Sequence, residues 1–152
     1  MAKKERCRAI IIINNQIVAM YRETNNRTFY TFPGGGLEGN ETEIECVKRE
    51  VFEEYGMVVE PIKKVYIYEN EISREHFFVC KHISGKFGTG EGEEYLENQT
   101  KGVYIPKMLD IANLNNLPLF PSEITQLFIA DFSANGESLR NDVLQISANM
   151  QK

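Results

Sequence analysis

Residues 35–57 read GGLEGNETEIECVKREVFEEYGM, and this stretch decides how the rest of the chain is interpreted. Thr42 is a good N-cap for a helix, and Glu45, three residues later, completes a capping box. Gly56 stands where a residue of left-handed conformation is expected to end the helix. The stretch therefore predicts a helix over Glu43–Tyr55 whose two ends are set by local signals.

This helix has an apolar face and an acidic face. At about 100° per residue, four apolar side chains share the arc that is predicted to be buried: Ile44, Val47, Val51 and Tyr55. Glu50, Glu53 and Glu54 fall in the neighbouring arc, where their side chains can converge. They repel one another, and the helix dipole disfavours negative charge near the C-terminal end. A hard divalent cation would offset both effects, whereas a solvated acidic face is the alternative that the three carboxylates alone leave open.

A glycine-rich segment precedes the helix. Residues 33–36, Pro-Gly-Gly-Gly, are predicted to form a loop whose backbone can approach another group closely, and a plain turn is the alternative. Arg49 points about 100° away from its neighbour Glu50 on the helix. An ion pair between Arg49 and Glu41 would tie the loop to the helix, although a solvated arginine that contributes little is the other interpretation.

Strand patterns dominate the chain outside this helix. Residues 7–13 and 16–21 are predicted to form a hairpin, because Asn14 and Asn15 between them tolerate the positive φ of a tight turn. Further strands are predicted at residues 29–32, 58–59, 64–68, 76–83 and 102–105. Polar loops are predicted at residues 23–27 and 85–92.

Two more helices are predicted near the C-terminus. Pro121, Ser122 and Glu123 open a helix that runs to Phe132. A weaker helical pattern begins at Glu137 and places these apolar residues on one side: Leu139, Val143, Ile146 and Met150. Because strands outnumber helices and are interleaved irregularly, the sequence favours an α+β or α/β sandwich with a mixed sheet. No repeat or linker divides residues 1–152, so we expect a single domain.

The composition is that of a globular protein with an acidic surface. Hydrophobic residues make up 42% and charged residues 26% of a 152-residue chain, which is long enough to bury a core. The net charge of −5 argues against a protein that wraps a nucleic-acid backbone, since that needs clustered Lys and Arg. A small phosphorylated anion can still bind if a divalent cation supplies the positive charge.

Cysteine usage and hydropathy indicate the compartment. Cys7, Cys46 and Cys80 lie in apolar stretches without C-x-x-C spacing, so we expect buried free thiols and a reducing environment. The apolar run at residues 9–13 is too short for a signal peptide or a membrane span, and no other stretch approaches a span. We therefore expect a cytoplasmic protein that is neither secreted nor inserted into a membrane.

Taken together, these residues resemble the signature of the Nudix (MutT-like) hydrolase family. That signature is Gly, five residues, Glu, seven residues, Arg-Glu-aliphatic, any residue, Glu-Glu, any residue, Gly-aliphatic. The matching positions are Gly35, Glu41, Arg49, Glu50, Val51, Glu53, Glu54 and Gly56. The last position is Met57 instead of Ile, Leu or Val, a mild departure because Met is apolar and of similar size. The resemblance implies the family's α/β/α sandwich with a central mixed sheet.

The resemblance also implies a reaction and a metal. Members of the family hydrolyse a phosphoanhydride bond in a nucleoside diphosphate that is linked to another moiety. Carried over to this chain, Glu50, Glu53 and Glu54 would be ligands of Mg²⁺ or Mn²⁺, with the backbone carbonyl of Gly34 as a further ligand. Catalytic roles would fall to Glu53, Arg49 and Glu41, the last two as an orienting pair.

A general base outside the motif is common in the family. Here four carboxylates lie at the end of the glycine-rich segment 85–92 or just after it: Glu91, Glu93, Glu94 and Glu97. Glu94 is the favoured base. A solvated acidic loop is the alternative interpretation for each of these four side chains.

Residues downstream of the motif narrow the substrate class by elimination. Family members that hydrolyse ADP-ribose would have a proline downstream of the motif, in the region where this chain has Ile72 and Ser73. Members that hydrolyse dinucleoside polyphosphates would have a tyrosine slightly farther on, where this chain has Arg74 and Glu75. A further motif typical of a coenzyme A type is not seen. A nucleoside triphosphate, oxidised or otherwise noncanonical, is therefore favoured. ADP-ribose or nucleotide-sugar hydrolysis and dinucleoside-polyphosphate hydrolysis stay open as alternatives.

Four residues are predicted to contact the substrate. Arg22 and Arg27 would touch phosphates, Tyr30 or a residue around Ser122 would meet the base, and Gly35 would let the backbone approach. Exposed arginines and a core tyrosine are the alternative interpretations.

Two other classes of protein are weighed against this enzyme. A non-catalytic nucleotide-binding module of the same family usually lacks a motif carboxylate or is fused to another domain, and all motif carboxylates are present here. An RNA-directed decapping-type enzyme is disfavoured by the acidic charge. The expected partner is a small-molecule nucleotide, without nucleic acid or membrane. The residues do not determine the oligomeric state, although homodimers are common in the family the chain resembles.

Overall fold

The computed structural model describes residues 2–89 and 102–148. Within these ranges nine strands and two α-helices follow one another in this order: β1 (Lys4–Ile13), β2 (Gln16–Thr24), β3 (Arg27–Thr31), β4 (Gly34–Gly36), α1 (Glu43–Tyr55), β5 (Val58–Glu69), β6 (Ser73–Ser84), β7 (Val103–Asp110), β8 (Leu119–Phe120), α2 (Ser122–Asn135) and β9 (Leu144–Ser147). Short 3-10 helices occupy Ile111–Asn116 and Gly136–Ser138. No helix in this part of the chain is long and apolar enough to cross a membrane.

The strands form one mixed sheet whose two halves diverge. The order is β8-β3-β2-β1-β6-β5-β9, with β4 beside β1 and β7 beside β2. The pairs β1–β6, β5–β9 and β3–β8 are parallel, and the other pairs are antiparallel. β1 and β2 pair next to their turn, at Ile12↔Ile17 and Ile13↔Gln16. Farther from the turn β1 pairs with β4 and β2 pairs with β3, so the two halves of the sheet separate there.

An apolar core lies on each face of the sheet. Because successive residues of a strand point to opposite faces, Ile10 packs into one core while Ala9 and Ile11 pack into the other. Helix α2 covers the core that contains Ile10, and helix α1 covers the core that contains Ala9. The α/β/α sandwich with a central mixed sheet, which the resemblance implied, is confirmed.

The predicted helix over Glu43–Tyr55 is confirmed at both ends. Oγ1 of Thr42 accepts a hydrogen bond from the N–H of Glu45 at 3.1 Å, and Oε1 of Glu45 accepts one from the N–H of Thr42 at 2.9 Å. Gly56 has a φ of 74°, and its N–H donates to the carbonyl of Phe52 at 2.8 Å.

The predicted buried arc of α1 was wrong at one position. Ile44 is 47% exposed, whereas Cys46 is buried in its place. The buried arc is rotated toward the acidic side, because Glu50 and Glu54 are themselves buried. The acidic face of α1 therefore lies partly inside the protein, which disfavours the alternative of a fully solvated acidic face.

Several predicted strand boundaries also differ from the structure. The hairpin of β1 and β2 is confirmed, with φ of 51° at Asn14 and 62° at Asn15. The predicted loop at 23–27 is shorter, since β2 and β3 extend into it and leave a turn at Asn25, where φ is 48°. The two predicted strands at 58–59 and 64–68 belong to one strand, β5, because pairing with the long strand β6 continues through irregular positions near Pro61.

Residues 34–36 form a strand where a loop was predicted. Gly35 pairs with Cys7 of β1 in an antiparallel register. A Cβ at Gly34 would overlap the carbonyl oxygen of Cys7, and Gly34 has a φ of 141°. The close backbone approach predicted for this segment is therefore present, within a sheet.

The predicted helix after Glu137 was wrong. Leu139 has a φ of 58°, which ends the short 3-10 turn. The chain then enters β9, which pairs in parallel with β5 at Tyr66↔Leu144. Pairing with a strand distant in sequence therefore outweighed the helical spacing of the apolar residues. One of those residues, Val143, is 47% exposed and does not belong to a buried face.

Candidate active site

The three motif carboxylates of α1 differ in their environment. Glu50 is 8% exposed and Glu54 is 6% exposed, whereas the side chain of Glu53 is 43% exposed. A carboxylate is costly to bury unless hydrogen bonds or positive charges compensate it. The environment of Glu50 and Glu54 is therefore built around their charge.

The strand β4 supplies part of that environment. The N–H of Gly34 donates to Oε1 of Glu54 at 3.2 Å. A Cβ added at Gly35 would lie 2.5 Å from Oε2 of Glu50, so the carboxylate occupies space that only glycine leaves open. The glycine strand thus contacts both buried carboxylates, and Glu50 is the physical reason for glycine at position 35, whereas the carbonyl of Cys7 requires glycine at position 34.

Arg49 connects the helix with the segment before it. Its Nη2 donates to Oε1 of Glu41 at 3.1 Å and to the carbonyl of Gly36 at 3.2 Å. Its Nη1 lies 3.1 Å from Oε2 of Glu50 and 3.2 Å from Oε1 of Glu53. The structure thus contains the expected Arg49–Glu41 ion pair, and the long side chain also reaches back to Glu50.

The charges of this pair stabilise each other. The hydrogen bond from Arg49 lowers the pKa of Glu41 below its ordinary value. In turn, the hydrogen bond to Glu41 raises the pKa of Arg49. Both side chains therefore stay ionised over the whole neutral range.

The donor set fits a hard divalent cation. Two buried carboxylates and one half-exposed carboxylate lie on one helix face, and such cations prefer carboxylate oxygens. Among the residues that the structure describes, no three acidic, histidine or cysteine side chains are already arranged around a common point. The guanidinium of Arg49 contacts one oxygen of Glu50 and one of Glu53, which leaves the second oxygen of each carboxylate as a ligand for a cation.

A cleft of about 450 Å³ opens between the diverging halves of the sheet. It is lined by Arg8, Arg27, Thr31, Tyr68, Asn70, Glu75, Phe120, Pro121, Ser122 and Glu123. Its volume lies within the range of about 300–1,000 Å³ that is usual for small-molecule sites. The cleft is therefore large enough for a nucleotide.

Arg8 joins this cleft to the carboxylate site. Its Nη1 donates to the carbonyls of Phe32 at 3.0 Å and Gly34 at 3.3 Å. Its Nε lies 3.2 Å from Oε1 of Glu75, and both side chains are 14% exposed. Arg8 therefore holds the backbone whose N–H reaches Glu54.

Sequence reasoning missed Arg8 and Glu75. The available signal was a charged residue inside an otherwise apolar strand, CRAIIII, in β1. Glu75 stands on β6, which runs parallel to β1, and this pairing of distant segments brings the two side chains together.

The four predicted substrate residues are spread over different surroundings. Arg27 lines the cleft, as does Ser122. The Arg22 guanidinium stacks on the ring of Tyr104 at 3.7 Å. Tyr30 packs against Tyr21 with ring centroids 5.5 Å apart, beside the core under α2. Gly35 lies against Glu50.

The predicted general base lies outside the described residues. This holds for Glu94 and equally for the other three carboxylates considered with it, Glu91, Glu93 and Glu97. Their role stays a prediction. The three cysteines, by contrast, are free and buried, as expected.

Comparisons with known proteins match this architecture. The model of the NUDIX domain family matches residues 3–114. Among curated proteins, an 8-oxo-dGTP diphosphatase of Buchnera aphidicola is 29% identical over 89 residues, which cover 56% of this chain and 72% of the relative. An RNA pyrophosphohydrolase of Francisella tularensis is 37% identical over 49 residues, which span 32% of each chain.

Solved structures share the fold. An ADP-ribose pyrophosphatase from Streptococcus suis superposes with a TM-score of 0.68 at 21% identity, covering 95% of this chain and all of the other. A NUDIX hydrolase from Nitrosomonas europaea superposes with a TM-score of 0.72 at 17% identity, covering 97% and 80%. With the capped carboxylate helix and its glycine strand, the family match over residues 3–114 establishes that the chain belongs to the NUDIX domain family and is a Nudix hydrolase.

Proposed function

We propose that the chain is a Mg²⁺-dependent pyrophosphohydrolase of a nucleoside triphosphate, oxidised or otherwise noncanonical. Water would attack phosphorus, one phosphoanhydride bond would break, and the products would be a nucleoside monophosphate and pyrophosphate. The observation that carries the proposal is the burial of Glu50 and Glu54 against the glycine strand, which Arg8 links to a nucleotide-sized cleft. The Buchnera relative, named an 8-oxo-dGTP diphosphatase, supports the substrate class.

The cation would be held by side chains of α1. Glu50, Glu53 and Glu54 supply the carboxylates, and Mn²⁺ can take the same oxygen ligands. The carbonyl of Gly34 accepts a hydrogen bond from Arg8, and its second lone pair allows it to serve as a further ligand. A divalent cation in such a site neutralises phosphate oxygens and makes a water molecule more acidic.

The other site residues position these groups. Arg49, with Glu41, fixes the segment before α1 to the helix and balances the charge of Glu50 and Glu53. Arg8 donates to the carbonyls of Phe32 and Gly34, which lie on either side of the Pro33–Gly34 peptide, so that the N–H of Gly34 stays directed at Glu54. Glu94 is the proposed general base. Pre-positioned groups of this kind lower the barrier because they need little rearrangement as charge develops.

A hydrolysis screen with product identification tests the proposal. The panel contains canonical and oxidised nucleoside triphosphates, ADP-ribose, a nucleotide sugar, a dinucleoside polyphosphate and 5′-triphosphorylated RNA, each with Mg²⁺ or Mn²⁺. The expected result is release of pyrophosphate from a triphosphate. Faster turnover of ADP-ribose or RNA would overturn the proposed substrate class while leaving the reaction type intact. Absence of turnover across the panel, with tight nucleotide binding, would indicate a binding module.

A further inference from the structure

A second cavity, of about 620 Å³, lies at the end of the sheet where β1 turns into β2. None of its described lining residues lines the cleft, and none is a motif carboxylate. Ile12 lines this cavity, whereas Arg8, four residues back along β1, lines the cleft; in an extended strand that separation is about 13 Å. The volume is within the range of about 300–1,000 Å³ that is usual for small-molecule sites, yet none of the proposed roles uses this cavity.

The floor of this cavity is aliphatic. Ile12 and Val79 line it and pack at the edge of the core under α2. Ile62 adds a third aliphatic side chain because β5 is irregular at this point. Pro61 and Lys63 pair with successive residues of β6, so Ile62 between them has no partner on that strand. Such a bulge redirects a side chain, and Ile62 lines the cavity while it is 57% exposed.

Two lysines flank this floor. Lys63 pairs with Val79, and Lys81 stands two residues after Val79 on β6, so both project to the same face of the sheet as Val79. Within residues 2–89 and 102–148 neither lysine takes part in an ion pair or a side-chain hydrogen bond. Lys81 forms none even with Glu60, its register partner on β5. Both ammonium groups can therefore pair with an added anion without breaking an existing contact.

The opposite wall is polar and carries one negative charge. It consists of Glu137 and Ser138, in the 3-10 turn after α2, and Oγ of Ser138 donates to the carbonyl of Asn135 at 3.2 Å. His82 also lines the cavity, and its Nε2 lies 2.9 Å from the carbonyl oxygen of Gly85. Glu137 is the one acidic side chain among the described lining residues. With two lysines against one carboxylate, the cavity is locally positive on a chain whose net charge is −5.

We propose that this cavity binds an aliphatic carboxylate of medium chain length, whose chain lies on Ile12, Val79 and Ile62 and whose carboxylate pairs with Lys63 and Lys81. No Phe, Tyr or Trp side chain is among the described lining residues, so the cavity offers no ring on which a nucleobase could stack. Its aliphatic floor and paired ammonium groups match a hydrocarbon chain that ends in one negative charge. This site is separate from the proposed hydrolytic function and does not rest on it.

A chain-length series tests the ligand class. Hexanoate, octanoate, decanoate and inorganic phosphate are titrated into the full chain by calorimetry, each below the concentration at which it forms micelles. We expect saturable binding of decanoate at one site, with an affinity that rises by up to about fourfold for each added methylene that the floor buries. Phosphate, which has charge but no chain, should bind more weakly than any of the three carboxylates.

Substitutions in the cavity separate the contributions of charge and chain. Replacing both Lys63 and Lys81 by Gln should weaken decanoate binding about 2- to 25-fold, because each exposed ion pair contributes about 1.4- to 5-fold. Ile62→Ser should lower the affinity for decanoate more than that for hexanoate, since the longer chain covers more of the floor. Glu137→Gln should strengthen binding by about 1.4- to 5-fold, and such a gain cannot result from misfolding. Thermal melts check that the other variants fold.

Arg27→Gln is the matched control, because it removes an exposed cation that lines the cleft instead of this cavity. It should bind decanoate as the wild-type chain does, and a loss as large as that of the double lysine variant would place the ligand in the cleft and overturn the proposal. Absence of saturable decanoate binding, wild-type affinity in the double lysine variant, or phosphate affinity equal to that of decanoate would also overturn it. The titrations contain no nucleotide and no metal, so their outcome is independent of the hydrolysis screen.

Discussion

Gly35 and Glu50 share one small space: a Cβ at residue 35 would lie 2.5 Å from Oε2 of Glu50 and 2.7 Å from its Cδ. Gly35, the first glycine of the motif, and Glu50, the glutamate that follows Arg49, therefore depend on each other through direct contact. The spacing between them in the sequence follows from the register of β4 on β1 and the position of α1 over that strand.

Gly35→Ala should displace the Glu50 carboxylate without unfolding the protein. A displacement of about 1 Å at a catalytic group can cost about 100-fold in rate, and we expect a loss of kcat of that order. Gly36→Ala is the matched control, because the nearest atom to its Cβ would be the carbonyl oxygen of Glu5 at 4.0 Å. Steady-state hydrolysis and thermal melts of both variants check this. Equal activity of the two alanine variants would contradict the argument.

Arg8 should be needed for the site's geometry as well as for stability. Arg8→Gln leaves the largely buried Glu75 without its cation, which we expect to cost about 1–3 kcal/mol of unfolding free energy. Arg8→Lys keeps the charge but cannot donate to two carbonyls and to Glu75 at once. We therefore expect Arg8→Lys to be nearly as stable as the wild-type chain in urea titrations, yet to bind Mn²⁺ more weakly by electron paramagnetic resonance. Unchanged Mn²⁺ affinity in Arg8→Lys would rule out the positioning role.

The Glu41–Arg49 pair should contribute stability that disappears in acid. Arg49 lowers the pKa of Glu41, so the contribution is complete above the unfolded pKa of about 4.3 and is lost as pH falls through the lower folded value. Glu41→Gln should reduce stability at pH 6 and flatten its decline below pH 4 in urea titrations at a series of pH values. Glu38→Gln, which changes a more exposed and more distant partner of Arg49, should follow the wild-type curve. If stability depends on pH in the same way in Glu41→Gln and Glu38→Gln, the Glu41–Arg49 pair does not make this contribution.

Tyr68 should link stability to alkaline pH. Burial, and then the charge of Glu123, raise its pKa to about 12 from an ordinary value of 10.0. The neutral phenol is therefore favoured by folding, so its contribution is complete below pH 10 and is lost as pH rises from 10 to 12. Tyr68→Phe should lower stability at neutral pH, through loss of the bond to Glu123, and flatten the decline over that window. The pKa of Tyr66 is also raised, so the pH dependence of stability in Tyr66→Phe provides a comparison for that in Tyr68→Phe. A Tyr68→Phe curve as steep as the wild-type one would refute the assignment.

Local signals explain why part of the structure could be predicted from the sequence. The cap at Thr42, the return bond from Glu45 and the left-handed Gly56 act within a few residues of each other, so α1 is correct at both ends. The Asn14–Asn15 turn is equally local and is also correct. Because the carboxylates of the site lie on α1, their placement on one helix face could also be predicted.

Long-range pairing explains most of what could not be predicted. Ile146 was assigned to a helix because no local feature reveals that β9 pairs with β5, about half the chain away in sequence. Arg8 and Glu75, 67 residues apart, meet through the parallel pair of β1 and β6. The burial of Glu50 and Glu54 likewise depends on β4 lying against α1, so the wheel alone could not separate a buried acidic face from a solvated one.

Glu54→Gln tests the central claim most directly, since the amide keeps an oxygen acceptor for the Gly34 N–H but removes the charge. Hydrolysis of the preferred triphosphate is measured with Mg²⁺ for the wild-type chain, Glu54→Gln and the exposed control Glu60→Gln, beside thermal melts. If carboxylates hold the cation, Glu54→Gln folds normally and its kcat falls at least about 100-fold, whereas Glu60→Gln keeps the wild-type kcat. A folded Glu54→Gln that hydrolyses the triphosphate at the wild-type rate would contradict the account.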